Sequence, residues 1–101
     1  ALMMLSDKIS AGEAAEMGLI WKVYHDETFM AESLALAETL AQMPTKGLGL
    51  TKRALNRAFS NDFTAQLALE DKLQTAASQT HDYREGVAAF LEKRKPVFKG
   101  E

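Results

Sequence analysis

The sequence has no cysteine, two prolines and six glycines in 101 residues. Without cysteine there is no disulfide scaffold, thiol nucleophile, cysteine-ligated zinc or iron–sulfur cluster. The scarcity of proline and glycine argues against a disordered or loop-dominated chain. Charge of one sign is missing too: twelve Lys and Arg face fourteen Asp and Glu, a formal net charge of -2. That balance gives no electrostatic pull toward nucleic acid or an anionic membrane. No apolar run approaches the ~18 residues that a membrane span requires. No basic segment with a cleavage site opens the chain. The expectation is a cytoplasmic protein with neither nucleic acid nor membrane as partner.

Several chemical motifs are also absent. There is no G-x-G-x-x-G and no P-loop, and none of the serines lies in a G-x-S-x-G context. His25 and His81 are the only histidines. They form no H-x-x-x-H or HExxH spacing, so a zinc site has nothing to build on, and no metal is expected. Each has an acid beside it, Asp26 and Asp82, and each reads as a turn residue near a helix start.

What is present is mostly helical. Hydrophobic residues make up 47% of the chain and charged residues 26%. The chain opens Ala1-Leu2-Met3-Met4-Leu5, an apolar cluster where termini are usually polar. Residues 1–6 read as the end of a helix, and the expectation is that sequence precedes them. Ser10 and Glu13 have capping-box spacing, opening a short helix over 11–17 that Gly18 closes. Residues 19–24 are the only strand-like run, rich in β-branched and aromatic residues. With no second strand to pair with, this run is an irregular segment or pairs outside the chain. His25 to Thr28 read as a turn.

The periodicity predicts helices over 28–42, 45–59, 62–79 and 82–94. Pro44 and Thr45 punctuate the first pair. Leu48, Thr51, Leu55 and Phe59 share one face of the second, with Lys52, Arg53, Asn56 and Arg57 largely opposite. Gly47 and Gly49 weaken its first turns by up to ~1 kcal/mol each relative to Ala, which points to close packing there. Ser60, Asn61 and Asp62 are capping candidates for the third. Phe63, Leu67, Leu73 and Ala77 stripe it. Asp82 and Glu85 have capping-box spacing at the start of the fourth, whose stripe is Val87, Phe90 and Leu91. Lys93, Arg94 and Lys95 crowd its end, where cations complement the helix dipole. Pro96 stops it and residues 97–101 form a tail. The fold class is mainly α: about five helices with one short strand-like segment.

Paired carboxylates could divide acid and base work, but Glu13 and Glu16 on a short helix, and the neighbours Asp26-Glu27 and Glu70-Asp71, read as solvated faces or turns. Residues 90–99 (FLEKRKPVFK) place two aromatic rings beside four cations. A ring can stack on a purine and a lysine can reach a phosphate as a point charge. Phe90 and Lys93, at i and i+3, project from one side of a continuing helix. The ordinary alternative is a core Phe90 and a dipole-complementing helix end. Spacing alone leaves both open.

Three stretches carry a family resemblance. Residues 5–20 (LSDKISAGEAAEMGLI), 50–56 (LTKRALN) and 82–98 (DYREGVAAFLEKRKPVF) stand in the order and spacing found in the C-terminal part of the crotonase superfamily. The sequence resembles that of the enoyl-CoA hydratases and isomerases. Residues 50–56, followed by 60–63 and 66–70, resemble most the branch that isomerises 1,2-epoxyphenylacetyl-CoA in phenylacetate degradation.

The resemblance implies the helical C-terminal region of a crotonase fold of ββα repeats, with residues 1–101 lacking the N-terminal catalytic core. It implies an acyl-CoA thioester as substrate, with no separate cofactor, and an enolate held by two backbone N–H groups in an oxyanion hole. The motifs carrying that hole and the catalytic carboxylates are not in this sequence. No catalytic residue is assigned, and the chain alone is expected to be inactive. One site carries over: the Phe and Lys of the family's F-x-E-K motif, which contact the CoA adenine and phosphates, match Phe90 and Lys93. The family also implies a homo-oligomer, a trimer or dimer of trimers. The alternative is a free-standing helical self-association module using residues 2–5 and 63–73.

Overall fold

A computed structural model describes all 101 residues as six helices without a strand. They are α1 (Leu2–Leu5), α2 (Ala11–Glu16), α3 (Phe29–Ala41), α4 (Thr45–Ala58), α5 (Phe63–Ser78) and α6 (His81–Glu92). The chain divides into two compact units, Ala1–Ala35 and Leu36–Glu101, with the division inside α3. No helix is long and apolar enough to cross a membrane.

In the first unit, α1 ends on Ser6 in the left-handed region, φ 57°. The expected capping box opens α2. The Glu13 N–H donates to Ser10 Oγ at 3.2 Å, and the Ser10 N–H returns a bond to Glu13 Oε2 at 2.8 Å. Those bonds, the backbone one first, hold the Glu13 carboxyl below its usual pKa. The helix closes as its glycine predicts. Gly18 takes φ 73°, its N–H reaches the Ala15 carbonyl at 3.0 Å, and the Leu19 N–H reaches Ala14 at 2.8 Å. This is a Schellman motif with glycine in the strained position.

The strand-like run at 19–24 is not a strand but a chain of bends and irregular backbone. An isolated extended segment has no ladder to satisfy its N–H and C=O groups. Side chains organise its end instead. Lys22 Nζ sits 4.5 Å from the Tyr24 ring centroid and 3.4 Å from Glu32 Oε2, and Tyr24 meets Phe29 edge-on.

In the second unit α4 and α5 pack side by side. Ser60 and Asn61 cap back onto Arg57, and Asp62 accepts the Ala65 N–H at 2.8 Å to start α5. Gln66 spans the pair, donating to the Ala54 carbonyl and Glu70 Oε1 while accepting from Asn61. Leu73 is buried. The close packing expected at both glycines of α4 is not found. A Cβ on Gly49 would meet open space, and one on Gly47 only Pro44 at ordinary contact distance.

The start of α6 also differs from expectation. Its N-cap is Thr80, whose Oγ1 accepts the Tyr83 N–H at 3.0 Å. Asp82 and Glu85 do not form a capping box; both hold the C-terminal tail. Asp82, 2% exposed, accepts the Lys99 and Gly100 N–H groups at 2.8 Å on its two oxygens, and its own N–H donates to the Glu101 carbonyl. Glu85 accepts the Val97 N–H at 2.7 Å. Residues 97–101 therefore run back along α6 rather than trailing free. Gly100 fixes the far end: at φ 79° it lies where a Cβ would stand 2.6 Å from Thr45 Oγ1.

These carboxylates make the latch sensitive to acid. Burial raises the pKa of Asp82, but the Lys99 and Gly100 amides, with His81 beside it, outweigh that and lower it. The Arg94 guanidinium, then the Val97 amide, take Glu85 from 4.5 to about 2. A carboxyl whose folded pKa is depressed contributes stability above its unfolded pKa and loses it as pH falls through the folded value. Amide protection at Val97, corrected for intrinsic exchange, is thus expected to be full at neutral pH and to fade as pH falls from about 4.5 toward about 2. Glu85→Gln is expected to abolish that dependence. Protection at Val97 that is flat across the window would contradict the latch.

Candidate functional site

The end of α6 brings together the features the sequence singled out, in an unexpected geometry. The helix stops at Glu92 rather than 94, and Lys93 caps it in the left-handed region, φ 55° and ψ 35°. Its N–H donates to the Phe90 carbonyl at 3.3 Å, and the Arg94 N–H donates to Ala89 at 3.0 Å. This is the Schellman pattern seen after α2, with lysine where α2 has glycine. Phe90 and Lys93 are tied across the last turn by backbone, not aligned on one face of a continuing helix.

Phe90 is 83% exposed, so it is not a core residue within this chain. It lines an open apolar groove of about 420 Å³ with Pro44, Ala77, Val87 and Phe98 among its neighbours. Lys93 is exposed. Its charge is not consumed by any ion pair, whereas Arg94 is fully engaged. Arg94 donates Nη1 and Nη2 to the two oxygens of Glu85 at 2.6 and 2.9 Å, and Nε to Glu92 at 2.6 Å. Its pKa rises further for that reason, first through Glu85 and then Glu92. Of the cations expected to crowd the helix end, Arg94 is structural and Lys93 is available.

This arrangement presents an exposed ring on an apolar groove and, three residues on in the chain, an exposed lysine outside any ion pair. A flat heteroaromatic base can stack on the ring, and a phosphate can meet the cation. The other candidates lead elsewhere. Glu13 is spent in the capping box, and Glu16, Asp26 and Glu27 are exposed. The His25 carbonyl accepts the Thr28 hydroxyl, and His81 leans on Asp82 at 3.4 Å. No three His, Asp or Glu side chains converge as a metal-holding group. Lys52, Arg53 and Arg57 line a shallow polar hollow on α4, consistent with the face assigned to them.

Sequence reasoning missed the Glu85–Arg94 pair. A helix expected to continue to 94 leaves those residues nine apart on a rigid rod. Only the reversal at Lys93 lets them meet.

A second, larger groove of about 750 Å³ runs between α4 and α5, with Leu48, Leu55, Leu67 and Leu73 among its lining. Several stripe residues expected to form a core are open to solvent, Phe59 at 99%. The buried hydrophobic residues are Ala14, Leu73 and Ala89, and no large side chain is fully buried.

Comparison with known proteins gives this geometry its setting. The family model for enoyl-CoA hydratase/isomerase matches residues 1–101. A 1,2-epoxyphenylacetyl-CoA isomerase of Escherichia coli K12 is 48% identical over 100 residues, covering 99% of this chain and 38% of that protein. The crystal structure of an enoyl-CoA hydratase/isomerase from Cupriavidus metallidurans CH34 matches with a TM-score of 0.88 at 34% identity, over 98% of this chain and 38% of that one. An enoyl-CoA hydratase structure from Polaromonas sp. JS666 matches at 0.87 and 32% identity, over 95% and 37%. The chain thus spans under two fifths of the length of these relatives. The six helices are those of the crotonase fold, and the chain belongs to the enoyl-CoA hydratase/isomerase family.

Proposed function

We propose that the chain supplies the CoA-contacting and self-associating helices of an enzyme that acts on acyl-CoA thioesters. The observation that carries this reading is Phe90, an exposed ring on an apolar groove, tied by backbone to the unpaired Lys93. Phe90 stacks on the adenine of CoA and Lys93 meets its phosphates. The reaction proceeds through a thioester enolate held by an oxyanion hole, where fixed N–H donors face charge that develops only in the transition state. Those donors, and the groups that move the proton, are not among the residues assigned here. In this chemistry the chain binds and orients, and by itself it turns over no enoyl-CoA. The 48% identity to the epoxyphenylacetyl-CoA isomerase favours an aryl-acetyl thioester as the acyl group and phenylacetate catabolism as the setting.

The open stripes of α4 and α5 favour a homo-oligomer. Contiguous exposed apolar surface marks an interaction site, and Leu55, Phe59, Phe63 and Leu67 are all exposed here. Covering them removes apolar area from water at about 25 cal/mol per Å².

Two measurements test these statements. In calorimetric titration with CoA, Phe90→Ala is expected to raise Kd roughly five- to 150-fold, the worth of about 1–3 kcal/mol of base stacking. Lys93→Ala is expected to raise it as well. Affinity unchanged in both variants contradicts the site. In sedimentation velocity the chain is expected to associate, and Phe59→Ser with Phe63→Ser to weaken that association. A monomer at all concentrations contradicts the oligomer.

A further inference from the structure

Lysine is an uncommon choice for the left-handed position that ends α6. A left-handed residue other than glycine costs about 1–2 kcal/mol because Cβ crowds the following carbonyl. At the equivalent point after α2 the chain uses Gly18. Pro96 requires the helix to end before it, but a left-handed lysine at 93 is not the cheap way to end it, and something must offset that cost.

The helical stripe shows what continuation would do. Residues 82, 86, 89 and 93 are spaced i, i+4, i+7 and i+11, which is one face of a helix. On that face Asp82 grips Lys99 and Gly100, Gly86 lies against the Phe98 ring, and Ala89 is buried. A straight helix would carry the Lys93 side chain onto the face that the tail covers. The reversal at φ 55° instead leaves Lys93 exposed and turns Arg94 back toward Glu85.

We propose that Glu85 and Arg94 are positioning residues for ligand binding: their two-pronged ion pair holds Lys93 in the left-handed conformation and so keeps its side chain in solvent, off the face that the tail covers. This rests on the reading of Phe90 and Lys93 as the CoA contacts. The clamp is well built for the task. Arg94 uses both terminal nitrogens on Glu85, a planar fork-to-fork match that fixes direction as well as distance. Its Nε on Glu92 and its Nη1 on the Lys95 carbonyl brace it from either side of Lys93. Glu85 is braced in turn by the Val97 N–H. Neither residue touches the ligand; both act through the backbone of Lys93.

The test pairs a backbone readout with a binding readout on the full 101-residue chain. Carbon chemical shifts of Lys93, and amide protection at Arg94 and Val97, report the reversal without ligand. CoA titration reports its use. In Arg94→Ala and Glu85→Gln, the Lys93 shifts are expected to leave the left-handed range while the Thr80 and Tyr83 amides show α6 intact. Arg94→Lys is expected not to rescue, because a point charge cannot form the two-pronged pair. Each clamp variant is expected to weaken CoA binding about as much as Lys93→Ala does, on the order of tenfold. Adding Arg94→Ala to Lys93→Ala is expected to cost nothing more. A merely structural role would give additive losses. Lys93 shifts unchanged in both clamp variants, or additive losses, overturn the proposal. If Lys93→Ala binds CoA like the unaltered chain, the ligand reading falls, and the shifts still decide whether the clamp sets the reversal.

Discussion

The C-terminal tail of this chain depends on two carboxylates of α6 that hold its backbone. Asp82 and Glu85 turn the residues after Pro96 back along α6, one by accepting two N–H groups in a buried position and the other by accepting one N–H and a guanidinium. Hydrogen bonds to ionised acceptors are roughly twice as strong as neutral ones, and that matters where the chain buries so few large apolar groups. From this latch follow the place of Phe98 against Gly86, the fit of Gly100 beside Thr45, and the early end of α6. A buried Asp82 without both amides would be an unpaired charge, a costly state.

Local signals are legible in the sequence where a few neighbouring residues decide the outcome. Ser10 with Glu13, Gly18 and Asp62 each cap as their types and spacing require. The family resemblance, carried by three ordered stretches, holds over residues 1–101. The reading failed where distant residues decide. Thr80 and Asp82 are both capping types two positions apart, and only the tail, which claims Asp82, leaves the cap to Thr80. The run at 19–24 has the composition of a strand but nothing to pair with. At Lys93, intrinsic preference points to helix and tertiary contacts point the other way; the contacts prevail. Residue type leaves Phe90 and Lys93 as candidates and the family resemblance singles them out, while the backbone that relates them is not legible in the sequence.

The same physics separates the surfaces by role. Apolar stripes on α4 and α5 lie open because no element of this chain covers them, which fits helices shaped to pack on other surfaces. The end of α6 is open in a different way: one ring and one cation stand out from a backbone fixed by ion pairs. Rigid support beneath an exposed contact lowers the ordering cost of binding. On the proposed function, burial of partner surface falls to the middle helices and recognition of a nucleotide to the last.

Intermolecular nuclear Overhauser effects between CoA and the chain test that assignment most directly. Cross-peaks are expected from the adenine H2 and H8 protons to the Phe90 ring, with the Lys93 side-chain methylenes close to the ribose phosphate. Adenine cross-peaks to the α4–α5 groove and none to Phe90, from CoA that demonstrably binds, would contradict it.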